Sequence, residues 1–276
     1  MRADDGTHHE LLSARLAPHG WIANVRAALL SVVFPAGCRI CGQLLSEPTL
    51  IPICNECLDS FQQIAGRVCA VCGMPVEAGS GVDGSAFICP LCVNGKDRTY
   101  AFERSRSWSL YEGAMVRAII LLKFESIDPL GALFARLLAE MVARSGADFE
   151  ADVVVPVPLH RQRERERGYN QAVLIAKPLA KKLGLPCKSV LLTRTRPRPD
   201  KHILTLEERW ESVRGAFATR PGSQIDNQRV LLVDDVMTTG ATLDSCAKTL
   251  RNAGAKSVVG LTVARARLRN TAAHFQ

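Results

Sequence analysis

The sequence that decides the fold is Val230-Leu231-Leu232-Val233-Asp234-Asp235-Val236-Met237-Thr238-Thr239-Gly240-Ala241-Thr242. Its apolar run predicts a buried strand that leads into two adjacent carboxylates and then into a loop of small residues. Gly254 ends the helix expected after the loop. The apolar stripe of that helix consists of Leu243, Cys246, Ala247 and Leu250. Such a strand, loop and helix N-terminus form anion sites at the carboxyl edge of parallel sheets.

The chain from residue 98 onward alternates apolar strand patterns with helix patterns. Asp128-Pro129 is a typical helix start, and a second helix is expected over Tyr169–Leu183, where Pro178 predicts a kink or a break. Strands are expected at residues 153–157, 190–192, 230–233 and 258–264. These strands are apolar throughout, which is typical of a parallel sheet that helices cover on both faces. We therefore expect an α/β fold.

The small-residue loop has the chemistry of a phosphate site. Thr238, Thr239 and Thr242 supply hydroxyl groups with little bulk, and Gly240 lets the backbone approach an anion closely. Asp234 and Asp235 suit a sugar diol or a hydrated Mg²⁺. The chain lacks the G-x-x-x-x-G-K-[ST] loop of ATPases, and too little sequence follows Asp235 to build a phospho-acceptor domain.

Eight of the ten cysteines form four C-x-x-C pairs near the N-terminus. These residues are Cys38, Cys41, Cys54, Cys57, Cys69, Cys72, Cys89 and Cys92. Two such pairs supply the four thiolates of a tetrahedral structural zinc site, so we expect two Zn²⁺ ions in a double zinc ribbon. Iron–sulfur clusters also use four thiolates. Pairing in chain order is the simplest arrangement, and an interleaved arrangement uses the same residues.

The composition is that of a foldable chain with a sizeable core. It has 276 residues, 47% of them hydrophobic, and a net charge of +8. No apolar run reaches the roughly 20 residues that a transmembrane helix needs. The segment Trp21–Phe34 is expected to be a short helix packed on the protein, and acidic residues upstream of it argue against an export signal. We expect a cytoplasmic protein with an extension over 1–36, a double zinc ribbon over 37–97 and an α/β domain over 98–276.

The strand–loop segment resembles the signature of type I phosphoribosyltransferases, whose common substrate is phosphoribosyl pyrophosphate (PRPP). Three further stretches and the cysteine pairs resemble the ComF family of competence-associated proteins. These stretches are 155–159 (Val-Pro-Val-Pro-Leu), 167–171 (Arg-Gly-Tyr-Asn-Gln) and 215–217 (Gly-Ala-Phe), and 122–124 (Leu-Lys-Phe) also matches. In that family zinc ribbons precede a phosphoribosyltransferase domain, and members are associated with natural transformation and the handling of incoming single-stranded DNA.

The resemblance implies roles for individual residues. Asp234 and Asp235 would hold the ribose hydroxyls directly or through Mg²⁺, while the stretch from Arg194 to Arg214 occupies the position of a mobile lid. The 5′-phosphate would be cradled by Thr238, Thr239, Gly240, Ala241 and Thr242. Val157 and Pro158 would belong to the pyrophosphate loop over 157–160, and Arg167 lies in the family motif. No residue identifies the acceptor of the phosphoribosyl group.

Two functions are compatible with this pattern. The first is a phosphoribosyltransferase that releases pyrophosphate from PRPP. The second is a non-catalytic PRPP-sensing factor that binds single-stranded DNA or a DNA-uptake protein through its basic residues. Those residues are Arg161, Arg163, Arg165, Arg167, Arg194, Arg196, Arg198 and Lys201. They could instead form a solvated face, and an aromatic content of only 5% argues against extended stacking on single-stranded DNA.

Overall fold

The computed structural model describes residues 37–47, 49–76, 86–93, 100–197, 205–223 and 225–267. The helix predicted over Trp21–Phe34 and the basic residues Arg198 and Lys201 lie outside this part of the chain. Two compact units are present: one contains the described residues of 37–62 and 112–130, and the other contains those of 63–111 and 131–267. No helix within the described ranges is both long and apolar enough to cross a bilayer.

Eight α-helices and six strands make up the described chain. The helices are α1 (Asn55–Asp59), α2 (Pro90–Val93), α3 (Gly113–Phe124), α4 (Pro129–Arg144), α5 (Arg161–Arg167), α6 (Gln171–Leu183), α7 (Leu206–Glu211) and α8 (Ala241–Asn252). The strands are β1 (Arg104–Leu110), β2 (Val153–Pro156), β3 (Leu192–Arg194), β4 (Phe217–Thr219), β5 (Arg229–Met237) and β6 (Ser257–Arg265).

A parallel four-stranded sheet in the order β1-β6-β5-β2 forms the centre of the second unit. Helix α6 packs against β5 and β2, and helix α8 packs against β4, β5 and β6. The α/β fold expected from the sequence is confirmed. One strand differs from the expectation: the apolar residues 190–192 were predicted to join the parallel sheet, but β3 pairs with β4 in a separate two-stranded antiparallel sheet.

Strand β1 has a sequence that gives no apolar strand signal. Its residues alternate arginine, serine and tryptophan, yet Ser105, Ser107 and Ser109 are buried. The hydroxyl of Ser107 lies 2.6 Å from that of Thr262 on the adjacent strand β6, so the two buried hydroxyl groups satisfy one another. Small side chains let the sheet pack closely here, and pairing with β6 stabilises a strand that hydrophobicity alone does not predict.

Helix α6 contains Pro178, where a kink or a break was predicted, and it runs from Gln171 to Leu183 without a break. Proline has no N–H, and the carbonyl that loses its helical partner is that of Leu174. A Cβ atom built on Gly131 of α4 would lie only 2.6 Å from this same Leu174 oxygen. The freed carbonyl is therefore covered by the glycine backbone of a neighbouring helix, where a Cα–H group offers a weak hydrogen bond.

Replacing Gly131 by alanine tests this close helix contact. Alanine favours helix by about 1 kcal/mol over glycine, so propensity alone predicts a more stable protein. We expect Gly131→Ala to lower the free energy of unfolding by about 1–3 kcal/mol instead, because the added methyl group overlaps the Leu174 carbonyl. Urea denaturation followed by circular dichroism measures the change. The control is the reverse substitution Ala143→Gly at an exposed position of the same helix, which measures the effect of helix propensity alone. A more stable Gly131→Ala protein would contradict the prediction.

Candidate functional site

The two adjacent aspartates lie inside strand β5, not after it. The strand was expected to end at Val233, but it continues through both residues to Met237 because β6 pairs with it over the whole length. Asp234 is partly exposed, whereas Asp235 is 3% exposed. The N–H of Asp235 donates a hydrogen bond of 2.9 Å to a carboxylate oxygen of its neighbour. The paired strand thus holds both residues in place, with the carboxylate of Asp234 accessible and that of Asp235 buried.

The loop after β5 leads directly into helix α8. Gly240 is the N-cap of that helix and has a φ of 83°, in the left-handed region that favours glycine. Among the described residues, none accepts a hydrogen bond from the N–H groups of Thr238, Thr239 or Gly240. Three successive amide groups beside the N-terminus of a twelve-residue helix are available to bind an anion.

Gly240 is required here for a reason that the sequence did not show. We expected its missing side chain to let a phosphate approach, but a Cβ atom at this position would lie 2.8 Å from Met237 Cε and 3.0 Å from Tyr100 Cε1. The space that a side chain would need is therefore filled by protein. The positive φ strains any other residue at position 240, and an added side chain would also require Met237 or Tyr100 to shift.

The residues predicted for pyrophosphate follow strand β2 at the same edge of the sheet. Val157 and Pro158 are buried, and the N–H of Val157 donates to the carbonyl of Val233 at 2.9 Å. The side-chain amide of Asn170 donates to Val157 O at 3.0 Å, and its oxygen caps α6 by accepting from the N–H of Ala172 at 2.9 Å. Sequence reasoning placed Asn170 in a motif but did not find this positioning role.

Arg167 ends helix α5, and the charge of Asp235 acts on its guanidinium. Burial lowers the pKa of its guanidinium, and the charges of Tyr169 and Asp235 oppose that shift. Its Nη1 donates to Gln171 Oε1 at 2.7 Å, which fixes the side chain at the start of α6. The structure thus brings Arg167 into the electrostatic field of Asp235, as expected for a residue that balances charge at a shared site.

The second half of the predicted lid region also reaches the loop. Helix α7 begins with a capping box between Thr205 and Glu208, and Arg209 Nη1 lies 3.4 Å from Thr238 Oγ1. Sequence reasoning missed Arg209, whose only signal was its place in the lid region. Other arginines of this region make internal contacts: Arg194 lies over the ring of Phe217, and Arg196 donates to the carbonyl of Arg214.

The eight paired cysteines form two clusters in chain order. Cluster 1 consists of Cys38, Cys41, Cys54 and Cys57; cluster 2 consists of Cys69, Cys72, Cys89 and Cys92. Within each cluster all Sγ atoms lie within 4.8 Å of one another, and the Cys41–Cys54 and Cys72–Cys89 separations are 3.7 and 3.6 Å. A tetrahedral site with Zn–S bonds of about 2.3 Å requires separations of about 3.8 Å, whereas a disulfide requires about 2.05 Å. The clusters therefore have the spacing of structural zinc sites.

Backbone amides stabilise negative charge on one sulfur of each cluster. The N–H of Cys54 points to Cys38 Sγ, and the N–H of Cys89 points to Cys69 Sγ, each at 3.3 Å. Although burial opposes the shift, amide hydrogen bonds lower the pKa of Cys38 to about 6. Burial and then the neighbouring thiols raise the pKa of Cys57. Four thiolates at this distance therefore need a bound cation to coexist.

The two clusters differ in their surroundings. Cluster 1 belongs to the first unit, and its Cys41 is exposed. Cluster 2 belongs to the second unit, where Cys69, Cys72 and Cys89 are buried in the hydrophobic core together with β5 and α8 residues. Arg106 of β1 supports this cluster by donating to the carbonyl of Ala70 at 3.1 Å. Cluster 2 is thus part of the α/β core, and the prediction of one cysteine-rich module over 37–97 stays a prediction.

Both parts of the chain match models of known protein domains. A phosphoribosyl transferase domain model matches residues 125–273, and a double zinc ribbon domain model matches residues 29–93. "DNA utilization protein YhgH" of Salmonella typhimurium is 31% identical over 209 residues, which cover 75% of this chain and 87% of that protein. The chain belongs to the ComF family.

Two relatives of this ComF protein are named for competence. "Competence protein F" of Haemophilus influenzae is 34% identical over 116 residues, which cover 42% of this chain and 51% of that protein. "Competence protein ComFC" of Bacillus subtilis is 28% identical over 217 residues, which cover 77% of this chain and 84% of that protein. The family and its two-part organisation are therefore established for this ComF protein by both the domain models and the relatives.

Removing one ligand from each cluster of the ComF protein tests the difference in burial. We expect Cys41→Ser and Cys72→Ser each to reduce bound zinc from two ions to one. Only Cys72→Ser should lower the free energy of unfolding of the second unit by more than about 4 kcal/mol, as is typical when a structural metal site in a core is lost. Metal analysis by mass spectrometry and urea denaturation measure the two effects.

Cys187→Ser is the matched control, because Cys187 belongs to neither cluster, and it should leave zinc unchanged. Iron with inorganic sulfide in the purified protein would contradict the assignment of zinc. Equal destabilisation by the two cluster variants would contradict the different roles of the clusters.

Proposed function

We propose that this protein is a PRPP-binding phosphoribosyltransferase that acts with Mg²⁺ and releases pyrophosphate. The observation that supports this best is the loop after β5, where three consecutive N–H groups and a helix N-terminus meet next to two carboxylates. A sugar phosphate presents the complementary chemistry, since its phosphate accepts hydrogen bonds from amides and its hydroxyl groups donate hydrogen bonds to carboxylates.

Each predicted site residue has a place in this proposal. The loop from Thr238 to Thr242 would hold the 5′-phosphate, and Asp234, which is partly exposed, would accept hydrogen bonds from the ribose hydroxyls. Residues 157–160, at the adjacent strand end, would hold the pyrophosphate. Arg167 would contribute positive charge close to Asp235.

Carboxylate oxygens are ligands that Mg²⁺ prefers, and the accessible oxygens of Asp234 fit such an ion. When bound, Mg²⁺ neutralises negative charge on the phosphates. The residues of the chain then act mainly by positioning the sugar and by stabilising charge on the leaving group. In the proposed reaction a nitrogen nucleophile forms a bond to the anomeric carbon, the bond from that carbon to the pyrophosphate oxygen breaks, and the nucleophile releases its proton to water.

The cellular role that we propose is in competence and DNA uptake. It is supported by the names of the relatives in Haemophilus influenzae and Bacillus subtilis. Eight cysteines that remain reduced for metal binding are typical of a reducing compartment, which supports a place in the cytoplasm. Single-stranded DNA or an uptake protein is the macromolecular partner that we propose, bound through basic residues such as those of 161–167.

Substitution of the two aspartates tests the proposed site. We expect Asp234→Asn with Asp235→Asn to weaken PRPP binding at least about tenfold, since each charge-assisted hydrogen bond contributes about 1.5–3 kcal/mol. Calorimetric titration with PRPP and Mg²⁺ measures the affinity. Asp226→Asn is the control, because Asp226 is exposed and precedes β5 at the opposite edge of the sheet, and it should bind PRPP as the wild type does.

An assay of pyrophosphate release separates the two functions that the sequence allows. Release that depends on an added amine or nitrogen heterocycle supports the transferase. Tight PRPP binding without release with any acceptor, together with salt-dependent binding of single-stranded DNA, would assign the chain to the sensing role instead. Wild-type PRPP affinity in the double aspartate variant would remove the proposed site altogether.

A further inference from the structure

Three consecutive carbonyl groups, at the end of β5 and in the loop after it, accept hydrogen bonds from two side chains of other parts of the chain. Arg265, the last residue of β6, donates from Nη1 to the carbonyl of Met237 at 3.0 Å and to the carbonyl of Thr238. The hydroxyl of Tyr100 donates to the carbonyl of Thr239 at 3.1 Å. Each of the three peptide units from Met237 to Gly240 is thereby fixed on its carbonyl side.

Because peptide bonds are planar and trans, the orientation of these three carbonyl groups also fixes the orientation of the N–H groups in the same peptide units. In a trans peptide the C=O of one residue and the N–H of the next point in opposite directions. Holding the carbonyls of Met237, Thr238 and Thr239 therefore turns the N–H groups of Thr238, Thr239 and Gly240 to the opposite side. These are the same three N–H groups that have no acceptor among the described residues.

Both donors are held firmly in place. Arg265 is 1% exposed and pairs with Met237 in the register of the sheet. The ring of Tyr100 stacks on Phe102 with 4.5 Å between centroids, and it lies 5.8 Å from the ring of Trp210 in α7. A tyrosine hydroxyl is protonated at neutral pH and therefore able to donate this hydrogen bond.

The backbone next to Tyr100 is also anchored to the helix that follows the loop. The N–H of Ala101 donates to Asp244 Oδ1 in the first turn of α8 at 2.7 Å. Tyr100 therefore contacts both the loop, through its hydroxyl and ring, and the start of α8, through the adjacent peptide. Its position relative to the amides does not depend on the flexible end of a long side chain.

We infer that Tyr100 and Arg265 are positioning residues that preorganise the loop amides of residues 238–240 for the 5′-phosphate of the substrate. The inference rests on the proposed function, and it assigns to the phosphate site two residues that do not contact the phosphate themselves. Preorganisation of this kind increases affinity because the amides are already ordered before the ligand binds.

The substitution Tyr100→Phe removes the hydrogen bond and keeps the ring that packs against Phe102 and Trp210. We expect the affinities for ribose 5-phosphate and for PRPP to fall by the same factor, about three- to tenfold, which corresponds to one hydrogen bond. The affinity for inorganic pyrophosphate should not change, because pyrophosphate does not use this loop. Zinc content and the thermal midpoint should also stay at wild-type values. Calorimetric titration with the three ligands, with Tyr111→Phe as the matched control, measures these effects.

Arg265→Lys provides a second variant that keeps the charge but loses the planar fork of the guanidinium. It should weaken ribose 5-phosphate binding more than Tyr100→Phe does, because it affects two carbonyls. The control is Arg104→Lys on β1, since Arg104 pairs with Asp148 and does not contact the loop.

The outcomes are distinguishable. Wild-type ribose 5-phosphate affinity in Tyr100→Phe would overturn the inference. An equal loss of pyrophosphate affinity would overturn it too, because that result indicates general damage to the fold. A wild-type protein that binds neither ribose 5-phosphate nor PRPP would overturn the proposed function, and this inference with it.

Discussion

The pairing of β5 with β6 along its full length is the constraint on which the candidate site depends. It extends β5 beyond its apolar run, through Asp234 and Asp235 and as far as Met237. The register places Arg265 opposite Met237, at the point where the loop begins. Because β2 pairs with the other side of β5 in parallel, residues 157–160 also follow a strand end at this edge. The two ladders that β5 forms with β6 and β2 thus bring the carboxylates, the amide loop and the second loop to one edge of the sheet.

In the loop after β5, side chains bind the backbone carbonyl groups and thereby order the backbone N–H groups. A loop in which both faces of each peptide were free could turn its N–H groups in any direction and would lose entropy when an anion bound. Here Tyr100 and Arg265 satisfy the carbonyls, and Gly240 adopts the left-handed conformation that lets α8 begin. The loop is therefore ordered by the side chains that bind its carbonyl groups.

Cluster 2 connects the metal-binding part of the chain to this site. Its cysteines share a hydrophobic core with Tyr100, Phe102 and Met237. Burial of a metal cluster in a core makes metal binding and folding one process for that unit. Cluster 1 lies in the other unit, and its Cys41 is exposed.

The sequence by itself determined the fold class, the four C-x-x-C pairs and the strand–loop–helix segment, because apolar runs, ligand spacing and small-residue loops are local patterns. It did not show that β1 is a strand, since buried Ser107 is stabilised by Thr262 of β6 and not by hydrophobicity. It also predicted a kink or a break at Pro178, but the helix continues there and a glycine of another helix covers the freed carbonyl. The roles of Tyr100, Asn170 and Arg265 were decided only by the tertiary structure. Each of them acts by donating a hydrogen bond to a carbonyl that lies between 13 and 139 residues away in the chain, and no local pattern records such a contact.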